Sequence, residues 1–167
     1  MKRNLLLLFV ATALLWSCSS DSEDEPNVEA TSLVGTWELI DVKINESTAS
    51  DPLKFAKGIA DVLIEDDCDL WTFTFNADES LVSENKFNYI EVDLNNTGDG
   101  LSVPCPTNQD VDATTYSLDG DQLTFADGIL SSETITIDLE GNTLTIAGDD
   151  LDPNNLSGSE LVFSRIN

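Results

Sequence analysis

The chain has 167 residues, the length of a single domain, and its 7 Lys and Arg face 32 Asp and Glu for a formal charge of −25. Phosphate backbones and anionic headgroups are met by clustered Lys and Arg, so this balance excludes nucleic acid as a partner. His is absent, which removes Ser-His-Asp and Cys-His catalysis, His-based metal sites and the usual pH switch.

Lys2 and Arg3 precede an apolar run from Leu5 to Leu15, too short to span a bilayer as a helix, and together they read as a secretion signal over residues 1–17. The run closes on Leu14, Leu15, Trp16, Ser17 and Cys18, which resembles the lipobox of bacterial lipoproteins. That resemblance implies lipidation of Cys18, which then becomes the mature N-terminus. Residues 18–31 follow as an acidic tether, since Ser19 to Pro26 offers no apolar side chain to pack. Acids in the first few positions after the lipidated Cys resemble the surface-export signal of Bacteroidetes-type lipoproteins. The implied location is the outer membrane, lipid-anchored and surface-exposed, with the periplasmic face as the alternative. Membrane contact is expected through this anchor only.

Cys68 and Cys105 remain in a chain directed to an oxidising compartment and are predicted to form one disulfide. Zinc would need more ligands than two thiols. A redox pair lacks the CxxC spacing and a nearby cation.

From residue 32 onward, apolar alternation broken by Asp, Asn and Gly predicts antiparallel strands with one buried face. Val34 to Ile44 is the first. Residues 51–65 carry Leu53, Phe55, Ala56, Ile59, Ala60, Val62 and Leu63 at helical spacing, with Ser50 or Asp51 as N-cap and Pro52 in the first turn. This helix either completes the hydrophobic shell or lies as a lid over a pocket. Trp71, Phe73 and Phe75 form the clearest strand, turned by Asn76, Ala77 and Asp78. Leu81 to Val92 holds one or more further strands of unclear register. Thr114–Leu118 with Gln122–Phe125, and Ile135–Leu139 with Leu144–Ile146, are hairpins around Gly120 and Gly141. Leu161–Ile166 is last. The expected fold is all-β, a roughly eight-stranded antiparallel up-and-down barrel over residues 32–167 with one inserted helix.

Gly35, Thr36 and Trp37 resemble the G-x-W that opens a lipocalin barrel, and Arg165 in the last strand resembles the basic residue that stacks on that Trp. The order of features from Leu33 to Arg165, with Cys68, Trp71 to Asp78, Cys105 and Tyr116 to Leu123 between, is similar to the lipocalin-like domain of Bacteroidetes-type envelope lipoproteins. Glu79 stands where that pattern expects Gly. The resemblance assigns Trp37 and Arg165 a barrel-closing role and leaves activity open.

Two readings of function follow. Either the barrel binds a small hydrophobic or amphipathic ligand among Trp71, Phe73, Phe75, Tyr89, Tyr116 and Phe125, with the tyrosines as polar handles, or it is filled and serves as an interaction module among envelope proteins. A carboxylate enzyme would need two acids paired across a cleft, and no motif marks such a pair. No cofactor is implied. The acids at Asp93 to Asp99, Asp119 with Asp121, and Asp149 to Asn154 do not follow the EF-hand pattern, so no metal site is assigned.

Overall fold

The computed structural model describes residues 32–95, 97–98, 100–126 and 133–166. The expected leader, Cys18 and the whole tether lie outside them. In β1 (Gly35–Ile44) the inward positions are Trp37, Leu39 and Val42. Strict alternation would turn Asp41 inward, but the register against the last strand slips between Leu39 and Asp41. This bulge places Val42 in the core instead.

After β1, Ser50 caps α1 (Asp51–Glu65), its hydroxyl accepting the Leu53 N–H at 3.4 Å, with Pro52 in the first turn. The helix buries Leu53, Ala60 and Leu63, and Ile59 and Ile64 pack against the core. It ends in a Schellman turn. Asp67 takes the left-handed conformation at φ 56°, while its N–H reaches the Ile64 carbonyl and that of Cys68 reaches Leu63.

The chain then forms β2 (Trp71–Phe75), β3 (Ser80–Asn85), a short hairpin of β4 (Asp93–Leu94) and β5 (Leu101–Ser102), β6 (Asp110–Asp119), β7 (Gln122–Phe125), β8 (Thr134–Glu140), β9 (Thr143–Ala147), the single turn α2 (Gly148–Leu151) and β10 (Ser159–Ile166). Eight strands close a barrel in the order β1-β10-β9-β8-β7-β6-β3-β2, every neighbour antiparallel. The expected fold class is the one observed.

In the segment from Leu81 to Val92, expected to hold one or two further strands, residues 81–85 are strand within β3 and the rest is not. β3 ends at Asn85, whose side-chain oxygen accepts the Phe87 N–H at 2.8 Å, and Phe87–Tyr89 form a 3-10 turn. The amide side chain competes with the sheet ladder and ends it.

Trp37, Phe73, Phe75, Phe163, Leu39, Leu81, Leu123, Leu144, Ile146 and Leu161 are fully buried inside the barrel. Burying such a side chain is worth about 1.5–3 kcal/mol. Phe73 and Phe163 meet with centroids 5.2 Å apart, and Phe75 meets Tyr116 edge-on at 5.0 Å. These contacts fill the barrel from its closed end to its middle. The core runs from Leu33 to Phe163 and the sheet closes on itself, so the barrel is a self-contained folding unit. Among the described residues no helix is long and apolar enough to cross a membrane.

Candidate ligand-binding site at the barrel mouth

The two ends of the barrel are built differently. At one end the Arg165 guanidinium lies 4.4 Å from the Trp37 ring centroid and donates to the carbonyls of Ser32 and Val34. The Trp37 indole donates to the Leu33 carbonyl at 2.8 Å. A Cβ at Gly35 would lie 2.8 Å from Arg165 Nη1, so only glycine leaves the guanidinium room to stack. Tyr116 sits at this end as well, its hydroxyl donating to the Asn76 carbonyl at 3.0 Å.

At the other end a cavity of about 440 Å³ opens between helix, strands and loops. That lies within the range of small-molecule sites. Val42 and Trp71 face it from the barrel, and Leu53, Phe55, Ala56, Ile59 and Ala60 from α1. Asn85, Phe87, Asn88, Ile90 and Val92 form a second wall, and Leu151, Asp152, Asn155 and Leu156 a third. The lining is mostly apolar with amides at intervals, which suits a molecule with a hydrocarbon body and a polar end.

Each wall has a local cause. The second is tied down by the disulfide between Cys68 and Cys105, Cα atoms 5.5 Å apart, which fastens the exit of α1 to the chain returning from β5 to β6. Asp110 also accepts from Asn88 Nδ2 at 2.7 Å and from the Tyr89 hydroxyl at 2.8 Å. These two bonds, Asn88 first, hold the Asp110 carboxyl below its ordinary range, and the same contact raises the Tyr89 phenol. The third wall depends on Gly148, where a Cβ would collide with the Leu156 carbonyl and the Ser159 hydroxyl. Asp152 folds the loop by accepting the N–H groups of Asn154 and Asn155 at 3.0 and 3.2 Å. Asp149 accepts from the Ser157 hydroxyl at 2.6 Å and the Gly158 N–H at 3.0 Å, which lowers its carboxyl. The acids of this loop thus shape backbone, and among the described residues no three His, Cys, Asp or Glu converge to hold a metal.

Of the six pocket residues expected from sequence, Trp71 lines this cavity and the others lie elsewhere. Phe73, Phe75 and Phe125 belong to the packed barrel below it, and Tyr116 to the closed end. Tyr89 is exposed on the outer side of the rim, held by Asp110. The cavity instead uses the apolar face of α1 and two loops. Phe55 and Ile59 were visible as an apolar helical stripe, whereas Asn85, Asn88 and Leu156 carried no signal in the sequence. Among the described residues, the acid with a raised carboxyl, Glu38, lies on the outer barrel face beside Asp69, away from the cavity lining.

Residues 33–163 match the model of one protein family, described as a lipocalin-like domain. No curated protein and no solved structure gives a significant match to the chain.

Proposed function

The chain belongs to the lipocalin-like domain family, and from that premise we propose that it is a lipid-anchored lipoprotein of the cell envelope whose barrel mouth binds a small hydrophobic or amphipathic molecule. Lipocalin-like barrels are in general binding proteins, and the single observation that carries the reading for this chain is the cavity of about 440 Å³ under α1. The filled barrel below supplies a rigid floor, so the ligand sits at the mouth and not along the axis. The basic and apolar leader, Cys18 and the acidic tether support the anchor, and the acids after Cys18 favour the outer surface of the outer membrane. Trp37 and Arg165 serve architecture.

A second reading, an interaction module for envelope proteins, draws on the β4–β5 hairpin, where the cross-strand pair Leu94 and Leu101 is exposed to 73% and 54%.

Mass spectrometry of the full chain purified from its producing cells tests both anchor and pocket. Under denaturing conditions the expected mass lacks residues 1–17 and carries lipid on Cys18. Under native conditions a further small adduct is expected, lost on denaturation and absent from Ala56→Trp, which fills the mouth from the exposed side of α1. A native mass without adduct in the folded wild type would sink the pocket reading and favour the interaction module. An unlipidated Cys18 would sink the anchor.

A further inference from the structure

The charges around the mouth distinguish between amphiphiles. Among the described residues the lining holds two charged side chains, Lys57 and Asp152. Lys57 is already engaged, with both carboxylate oxygens of Asp61 at 2.7 and 2.8 Å from its Nζ and Asp41 at 3.9 Å. A carboxylate or phosphate headgroup would have to compete with two acids for it. Asp152 accepts the N–H groups of Asn154 and Asn155 and, at 2.6 Å, Asn155 Nδ2, all neutral donors. It has no cation within ion-pair distance among the described residues, so its charge is uncompensated, and Asp110 stands behind Asn88 on the neighbouring wall. The lining further presents the rings of Phe55 and Phe87, whose faces attract cations. All of this lies in the field of a chain of formal charge −25, which enriches cations in a low-dielectric cleft and depletes anions.

We infer that the mouth cavity selects amphiphiles with a cationic headgroup, an alkyl ammonium or comparable amine, over anionic ones of the same chain length. The inference rests on the pocket reading above. The hydrocarbon part enters toward Trp71, Leu53 and Leu156, and the ammonium stays at the rim near Asp152 and the amides of Asn88 and Asn155. Fatty carboxylates and anionic lipids are the disfavoured class.

Calorimetric titration of the disulfide-bonded barrel, residues 27–167, with decylammonium, 1-decanol and decanoate below their aggregation limits separates the possibilities. At about 20 mM salt, with a Debye length of ~20 Å, decylammonium is expected to bind about tenfold tighter than decanoate. Decanol should fall between them. At about 0.5 M salt, with a Debye length of ~4 Å, the ratio should shrink to roughly threefold or less. Asp152→Asn keeps an oxygen for the N–H groups of Asn154 and Asn155 and should reduce the preference for decylammonium over decanoate at low salt. Equal binding of all three probes, or tighter binding of decanoate, overturns the headgroup inference while leaving the pocket in place. Binding of none of them overturns the pocket reading and the inference with it. The salt dependence of the wild type decides the matter even if Asp152→Asn misfolds.

Discussion

Glu79 has φ 65°, a left-handed backbone that costs a residue with a Cβ about 1 kcal/mol or more, and its carbonyl is fixed by the Tyr116 N–H at 2.8 Å. The sequence pattern expects glycine there. Glu79→Gly removes the strain but adds freedom to the unfolded chain, so a net gain of roughly 0.5 kcal/mol is expected in urea denaturation. A loss would mean that the Glu79 side chain contributes more than the backbone strain costs. Glu38 makes a pH-dependent contribution. Burial, then the hydrogen bond and charge of Asp69, then the charge of Asp67 raise its carboxyl, against a smaller opposing effect of Lys86. A carboxyl that binds its proton more tightly when folded stabilises the fold below its ordinary value of 4.5, and this is lost as pH rises through the higher folded value. Glu38→Gln should therefore raise the urea midpoint at pH 7 and change it little near pH 4. The same shift at both pH values, or none, would contradict this. Asp78, Asp110 and Asp149 act in the opposite sense. Hydrogen bonds lower their carboxyls, so their contribution is present above the ordinary 3.8 and fades as pH falls through their folded values.

At the scale of elements, the disulfide between Cys68 and Cys105 closes a sequence separation of 37 and borders the cavity wall formed by Phe87, Asn88, Ile90 and Val92. The chain-entropy relation gives such a loop about 3–4 kcal/mol. Reduction should cost a stability change of that order and increase amide exchange between Lys86 and Gln109 more than in β9 and β10. Uniform exchange across the barrel would mean that the bridge acts on the unfolded state without bracing the wall. Legibility in the sequence follows the same division of elements. The hairpins around Gly120 and Gly141, the strand Trp71–Phe75 and the helix Asp51–Glu65 were readable, because two-residue periodicity, turn chemistry and an N-cap with Pro52 are local signals. Where β3 stops was not, since Asn85 ends the strand through a side-chain bond that its neighbours do not announce. The cavity was only partly readable. Inward-facing aromatics suggested a pocket inside the barrel, yet Phe73 and Phe75 fill that space by packing on each other and on Phe163 and Tyr116, and Phe125, paired with Tyr116 across β6 and β7, belongs to the same core. Long-range register decides which inward side chains meet the void, and register is not a local property.

At the scale of the whole molecule, one end is sealed by Trp37 and Arg165 and the middle is packed, and among the described residues a cavity opens at the mouth under α1. The helix does two jobs there. Ala60 and Leu63 join the core, while Leu53, Phe55, Ala56, Ile59 and Ala60 line the cavity. α1 thus contributes both to the hydrophobic shell and to a wall of the cavity. An acidic exterior keeps such a domain apart from anionic surfaces and from its own copies, and it sets the sign of the field at the mouth. The most direct test of the central claim is to map backbone amide shifts of the oxidised barrel, residues 27–167, while titrating it with 1-decanol. The account predicts saturable shifts concentrated in α1, Asn85–Val92 and Leu151–Leu156, with Trp71 responding and the closed end around Trp37 and Tyr116 silent. Shifts centred on the closed end or spread evenly over the outer faces of the barrel, or no saturable shifts at all, would contradict it.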